Sequence, residues 1–300
     1  MREPDALAIR GEVPMATDRR DDVTAGPFNL RADAYAGTAD AYVRFRVPYP
    51  PALLERVRRR ARLSGAGRLL DLGCGPGRVA LPLAPLFREV WAVDREPEMI
   101  AAGRAAAARR GVANVRWIVG RAEDVAVPDG SIELVTMGES LHRFDQPVVL
   151  RKVLACLQPS GSVAALGSVH PWQDSWEPWQ CRFKEVWDRW VQAGAAAAHP
   201  AAHQPVLTSG QIFAGAGFED VTEDECDMPH VWTVESLLGY AYSTSVLSRQ
   251  ALGEQVGMFE ADLRRTLLAC DPRNAYPARV RFWCAVGRRP RLHRTGGAWR

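Results

Sequence analysis

The stretch Leu69-Leu70-Asp71-Leu72-Gly73-Cys74-Gly75-Pro76-Gly77-Arg78, followed by Val90-Trp91-Ala92-Val93-Asp94, decides the fold. Branched apolar residues around Asp71 read as a strand buried on both faces. Gly73, Gly75 and Gly77 then turn the backbone into a helix with no Cβ atoms in the way. A ligand can approach such a backbone closely. Asp94 ends the next apolar run, where a carboxylate accepts hydrogen bonds from ribose hydroxyls. Dinucleotide sites carry G-x-G-x-x-G and offer a helix N-terminus to a pyrophosphate. Here the glycines alternate with Cys74 and Pro76, and Asp71 before them disfavours an anionic phosphate and suits a cationic ligand.

Outward from this stretch, helical and extended patterns alternate, the mark of a largely parallel sheet covered on both faces. Helices are expected near 51–63, 78–87, 96–110 and 146–157, and strands near 68–72, 89–93, 114–119, 132–137 and 161–167. Regularity lapses between His170 and Thr208, where Trp172, Trp176, Trp179, Trp187 and Trp190 gather. A helix near 208–216 and a strand near 218–224 follow, then helices near 234–243 and 249–269 and a closing strand near 279–287. The chain thus divides into a leader (1–26), a core with an N-terminal lid segment (27–169) and a helix-rich, Trp-rich cap (170–207 and 229–275). The rest of the core (208–228 and 276–287) and a basic tail (288–300) complete it.

Bulk composition narrows the function. With 47% apolar residues in 300, the chain can bury a full core. The tail arginines Arg288, Arg289, Arg291, Arg294 and Arg300 exceed the whole net charge of +3, so the remainder is slightly acidic and is no nucleic-acid surface. The 6 cysteines lack C-x-x-C spacing, which argues against a zinc site and a disulfide scaffold. His199 and His203 stand at metal-pair spacing, but Pro200 breaks the helix such a pair needs, so no metal is expected. No apolar run of about 18 residues and no apolar signal core appear. A cytoplasmic protein is therefore expected, without membrane association and with the oligomeric state open.

The run D-L-G-C-G-P-G with its downstream V-D resembles motif I and the following acidic motif of class I S-adenosylmethionine-dependent methyltransferases. The loop Gly138-Glu139-Ser140-Leu141-His142-Arg143-Phe144-Asp145 is similar to the strand-four loop of small-molecule members related to trans-aconitate methyltransferase, which often reads His-Trp-Phe-Asp; here Arg143 replaces the Trp. Tyr42-Val43-Arg44-Phe45-Arg46-Val47-Pro48-Tyr49-Pro50 and Val234-Glu235-Ser236-Leu237-Leu238-Gly239-Tyr240 agree with that branch. The resemblance implies a Rossmann-like α/β fold with a seven-stranded sheet and the cap inserted after the fifth and sixth strands. It implies S-adenosylmethionine as cofactor, S-adenosylhomocysteine as product and a small organic acceptor as partner.

It also implies site residues. Asp71, Gly73, Cys74, Gly75 and Gly77 would face the methionine moiety, Asp94 with Arg95 the ribose, and Met99, Ala122 and Glu123 the adenine. Gly138 and Glu139 would complete the cofactor site, with Tyr42 and Arg46 closing it and binding the cofactor carboxylate. His142 is the candidate base, because an imidazole near pH ~6.5 can take a proton from a hydroxyl; the alternative role is packing. His142, Trp172, Trp179, Trp187 and Tyr240 are candidate acceptor contacts, and His170 and His230 neighbour the same region. O-methylation of a carboxylate or hydroxyl is the leading expectation. N- or C-methylation, or a cyclisation using the same cofactor, stays open, with nucleic-acid modification remote.

Overall fold

A computed structural model describes residues 35–173, 177–194 and 207–290. The leader, Trp176, His199, His203 and the tail from 291 lie outside the described residues. Its centre is one seven-stranded sheet: β1 (Arg68–Leu72), β2 (Glu89–Asp94), β3 (Val115–Val119), β4 (Ile132–Gly138), β5 (Leu157–Ser168), β6 (Glu219–Trp232) and β7 (Tyr276–Arg288), ordered β3-β2-β1-β4-β5-β7-β6. β1 pairs in parallel with β2 and β4, as do β2 with β3 and β4 with β5, whereas β7 runs antiparallel to both β5 and β6. The order reverses between β1 and β4, so a crevice opens beyond their carboxyl ends, where ligands of open α/β sheets bind.

Alternation along each strand builds the two faces. Leu69, Val90, Ala92, Leu134, Ala164 and Leu166 point to one side and pack with α2 (Pro51–Ala61) and α3 (Ala80–Leu83) through Leu53, Val57, Ala80 and Leu83. Leu70, Leu72, Val93, Val135, Met137 and Val163 point to the other, against Val149, Leu150 and Val153 of α5 (Gln146–Cys156) and Phe213 of α7 (Ser209–Gly215). Each buried Val, Leu, Met or Phe among them contributes roughly 1.5–3 kcal/mol. α4 (Pro97–Arg109) packs beside β2 and β3.

Among the described residues, five helices form the cap side: α1 (Ala39–Phe45), α6 (Pro178–Gly194), α8 (Val234–Tyr242), α9 (Arg249–Leu252) and α10 (Val256–Cys270). The long α6 lies inside the stretch the sequence leaves irregular, and α1 where the sequence predicts no helix. The expected 78–87 helix is short and ends in a 3₁₀ turn over Ala84–Leu86, as Pro82 and Pro85 each remove an N–H. The expected 249–269 helix is broken at Gly253, whose φ is +55°.

The largest departure is β6, which continues to Trp232 in register with Tyr276 of β7. Residues 229–232, assigned by the sequence to the cap, therefore belong to the sheet. Pro229 misleads: it cannot donate to a ladder, but β6 is an edge strand paired on one side only.

Candidate active site

The glycine turn crosses the crevice beyond β1. Gly73, Gly75 and Gly77 have φ of +65°, +53° and +84°, a region that L side chains rarely adopt. A Cβ at Gly73 would stand 2.5 Å from Ser140, and one at Gly77 2.8 Å from the Trp117 ring. At Gly75 the space is open except for the Tyr42 ring at 3.9 Å. The turn thus leaves open space at Gly75, beside Tyr42 of α1.

Two carboxylates fix this turn. Asp71, 1% exposed, accepts from Thr136 Oγ1 at 2.7 Å and from the Ala80 N–H at 3.2 Å. Burial pushes its carboxyl up to about 7 against the pull of both donors. Asp94 Oδ2 accepts from the Gly75 N–H at 2.7 Å and Oδ1 from the Glu96 N–H at 2.9 Å, tying the end of β2 to the turn. Burial raises Asp94 above the ordinary range in spite of these donors. The buried Cys74 thiol is pushed well up by the same desolvation. Tyr42, Tyr49, Asp71, Gly73, Cys74, Arg78, Val79 and Gly138 line one narrow cleft.

Beside β2 and β3, Met99 is buried in the first turn of α4 and Ala122 is buried after β3. Arg95 lies 3.7 Å from Glu96. Glu123 is committed locally: Oε1 accepts from the Asp145 N–H at 3.1 Å and Oε2 from Arg121 Nε at 3.3 Å. The segment before α1 straps across this edge, with the Gly37 N–H on Glu98 Oε2 at 2.8 Å and the Tyr35 hydroxyl receiving Arg143.

A second cluster gathers beyond β4 and β5. Glu139 has φ +55°, and its Oε1 accepts from Ser168 N–H and Oγ at 2.7 and 2.9 Å. Burial pushes this carboxyl up, but Arg46, His170, the Ser168 N–H and Arg78 outweigh burial and hold it below the usual range. Arg46, at the end of α1, donates Nε to Ser243 Oγ at 2.8 Å and reaches the Tyr240 hydroxyl and the Ser243 carbonyl at 3.5 and 3.4 Å. The Tyr240 hydroxyl lies on His170 Nδ1. Arg143 Nε lies 3.3 Å from His142 Nε2. Burial first, and then the neighbouring guanidinium, pushes His142 down to about 4; burial does the same to His170.

The tryptophans separate. Trp172 stacks on His170 with centroids 4.7 Å apart and meets Tyr240 edge-on at 5.9 Å. Trp187 lies behind Trp172 at 4.2 Å, in a second layer. Trp179 stands apart: it packs on Tyr276 and donates to the Pro277 carbonyl at 3.1 Å, so its contacts belong to the seam between α6 and β7. His230, on β6, touches Trp232, one ring removed from Tyr240.

The sequence reading passed over Thr136, Ser168 and Arg78. Thr136 had a signal, a hydroxyl inside an apolar strand run; the other two had none, since their partners lie far away in the chain.

Comparison with known proteins agrees with this geometry. A methyltransferase-domain family model matches residues 69–161. The chain is similar to nocamycin O-methyltransferase of Saccharothrix syringae, 32% identical over 230 residues covering 71% of this chain and 80% of that protein. It is 36% identical over 115 residues to ubiquinone biosynthesis O-methyltransferase of Xanthomonas euvesicatoria pv. vesicatoria, covering 38% of this chain and 47% of that protein. The fold is similar to that of a solved structure from Anaeromyxobacter dehalogenans assigned as a type II methyltransferase, with TM-score 0.56, 24% identity and coverage of 81% of this chain and 97% of the other. With an alternating glycine turn held by Asp71 and Asp94 and 32% identity over most of the nocamycin enzyme, the chain belongs to the class I S-adenosylmethionine-dependent methyltransferases.

Proposed function

We propose that the chain binds S-adenosylmethionine across the glycine turn and methylates an already ionised oxygen, a carboxylate, of a small organic acid. The residues fit the cofactor chemically. Gly75 leaves open the space a Cβ would fill, and each Asp94 oxygen keeps a lone pair for a ribose hydroxyl after accepting its backbone N–H. Met99 and Ala122 offer apolar surface for adenine, with Glu123 and Arg95 at its margins, while Gly138 lies in the Asp71 cleft at the other end of the site. The bound cofactor supplies a methyl group activated as a sulfonium. The protein's share is to align an oxygen with it and exclude water.

The state of the two imidazoles carries the acceptor assignment. Burial keeps the Tyr240 phenol protonated, and Arg46 donates to its oxygen, so its O–H points to His170 Nδ1. Neutral His170 then carries its proton on Nε2. Likewise Arg143 donates to His142 Nε2, which leaves the His142 proton on Nδ1. Neither ring keeps a free lone pair, and at about 4 both are weak bases at neutral pH. This argues against the expected role of His142 as the base. Arg46, Arg143 and the two ring N–H groups instead form a donor-rich wall suited to an anion, with Trp172 as an aromatic floor. The O-methyltransferase relatives support oxygen over nitrogen or carbon.

The test is product analysis with labelled S-adenosylmethionine and a panel of aromatic and aliphatic carboxylic acids, phenols and amines. Methyl esters are expected, at a rate flat from about pH 6 to 8 because the acceptor is ionised throughout. A methyl ether or N-methyl product, with a rate rising through an ionisation of the enzyme, would overturn the carboxylate assignment.

A further inference from the structure

Arg78, the residue that ends the glycine turn, has an unmet hydrogen-bond donor inside the cleft. Its Nη2 donates to the Val47 carbonyl, and its guanidinium carbon lies 4.5 Å from the Tyr49 ring centroid and 5.7 Å from that of Tyr42. Its Nε–H is buried with no hydrogen-bond partner among the described residues. The cleft's carboxylate, Asp71, is engaged by Thr136 and Ala80, and those nearby are engaged too, Asp94 by Gly75 and Glu96 and Glu139 by Ser168. A desolvated N–H of a cation without an acceptor is unfavourable, and a guanidinium is the group best matched to a carboxylate. The two rings hold it in place.

We propose that Arg78 anchors the α-carboxylate at the amino-acid end of the methyl donor through this Nε–H. The inference rests on the cofactor reading above and moves the carboxylate anchor away from Arg46. Three N–H groups of Arg46 are engaged by Ser243 and Tyr240, which turn its guanidinium toward α8, whereas Arg78 shares its cleft with Asp71, Gly73 and Cys74.

Calorimetry with two ligands tests it: S-adenosylhomocysteine, and its decarboxylated analogue, which keeps the adenosine, sulfur and amine. The wild type should prefer S-adenosylhomocysteine by about tenfold or more, the range of a charge-assisted hydrogen bond. Arg78→Met, whose unbranched stem still packs between the rings, should lose that factor for S-adenosylhomocysteine. It should bind the analogue within about threefold of wild type, so the preference collapses. Arg78→Lys keeps the charge without the Nε–H and should narrow the preference too, which serves if melting curves show the Met variant unfolded. Equal binding of both ligands to the wild type, or a preference that survives in a folded variant, overturns the assignment. Failure of both ligands to bind the wild type overturns the cofactor reading itself.

Discussion

His170 Nδ1 lies 2.5 Å from the Tyr240 hydroxyl oxygen, and that oxygen also receives an Arg46 N–H at 3.5 Å. Hydrogen-bond donation therefore runs outward from α1, through α8, to an imidazole set just beyond β5. The relationship joins the N-terminal lid to the sheet through three polar side chains, Arg46, Tyr240 and His170, packed beside Trp172 and Tyr42. Arrangements of this kind are costly to disturb, because each group loses its partner in a dry environment.

Acid should weaken the fold through the imidazoles. Burial pushes both His142 and His170 down to about 4 from an ordinary value near 6.5. Their folded values are depressed, so the unfolded chain takes up protons first as pH falls. The imidazole contribution is intact above about pH 6.5 and lost toward pH 4, by on the order of 3 kcal/mol per ring, and is opposed over the same range by Asp71, whose raised carboxyl takes up its proton more readily in the folded chain. Urea titrations in half-unit steps of pH should show this slope, and His142→Asn and His170→Asn should each flatten it. A double variant as acid-sensitive as the wild type would assign the effect to carboxylates instead.

Asp94→Ala should weaken S-adenosylhomocysteine binding more than tenfold. The change removes the acceptor for the Gly75 and Glu96 N–H groups together with the proposed ribose contacts, each charge-assisted bond contributing about 1.5–3 kcal/mol. Calorimetry reads the effect directly. An unchanged Kd would remove Asp94 from the cofactor site.

Core strands and the glycine turn were legible because their signals are local. Apolar runs of strand length, three alternating glycines and an acid at each strand end leave little freedom over residues 68–94. The cap was less legible. α6 presents Trp179, Phe183, Val186 and Trp187 inward from a segment whose tryptophans also suit a loop, and Pro229 hides the continuation of β6. Least legible was the chemistry at His142. Its residue type suggests a base, but Arg143 beside it and the burial around it decide its protonation, and both depend on how distant segments fold over the loop.

The tryptophans should divide by function. Trp172→Ala removes the ring stacked on His170 and should raise the acceptor KM several-fold or more, while S-adenosylhomocysteine affinity stays within about threefold. Trp179→Ala leaves a cavity against Tyr276 and frees the Pro277 carbonyl, so it should lower the melting temperature with little effect on KM in the folded fraction. Loss of a large buried ring costs about 3–5 kcal/mol. Equal KM effects from the two variants would contradict their separation.

Gly239→Ala should detach α1 from α8. Alanine is favoured over glycine inside a helix by about 1 kcal/mol, which alone would stabilise α8. Yet the added Cβ would stand 2.1 Å from Cγ and Cδ2 of Phe45, a separation that no side-chain rotation of alanine relieves. Phe45 lies on α1 beside Arg46, so the steric term displaces the helix that holds Tyr42 over Gly75 and Arg46 on Tyr240. The expected result is faster amide exchange over residues 39–46, with weaker S-adenosylhomocysteine binding. Global melting should change less than either, because α1 contributes little to the sheet's two cores. Unaltered exchange across α1 together with a higher melting temperature would mean that helix propensity prevails and that the contact between the helices yields without cost.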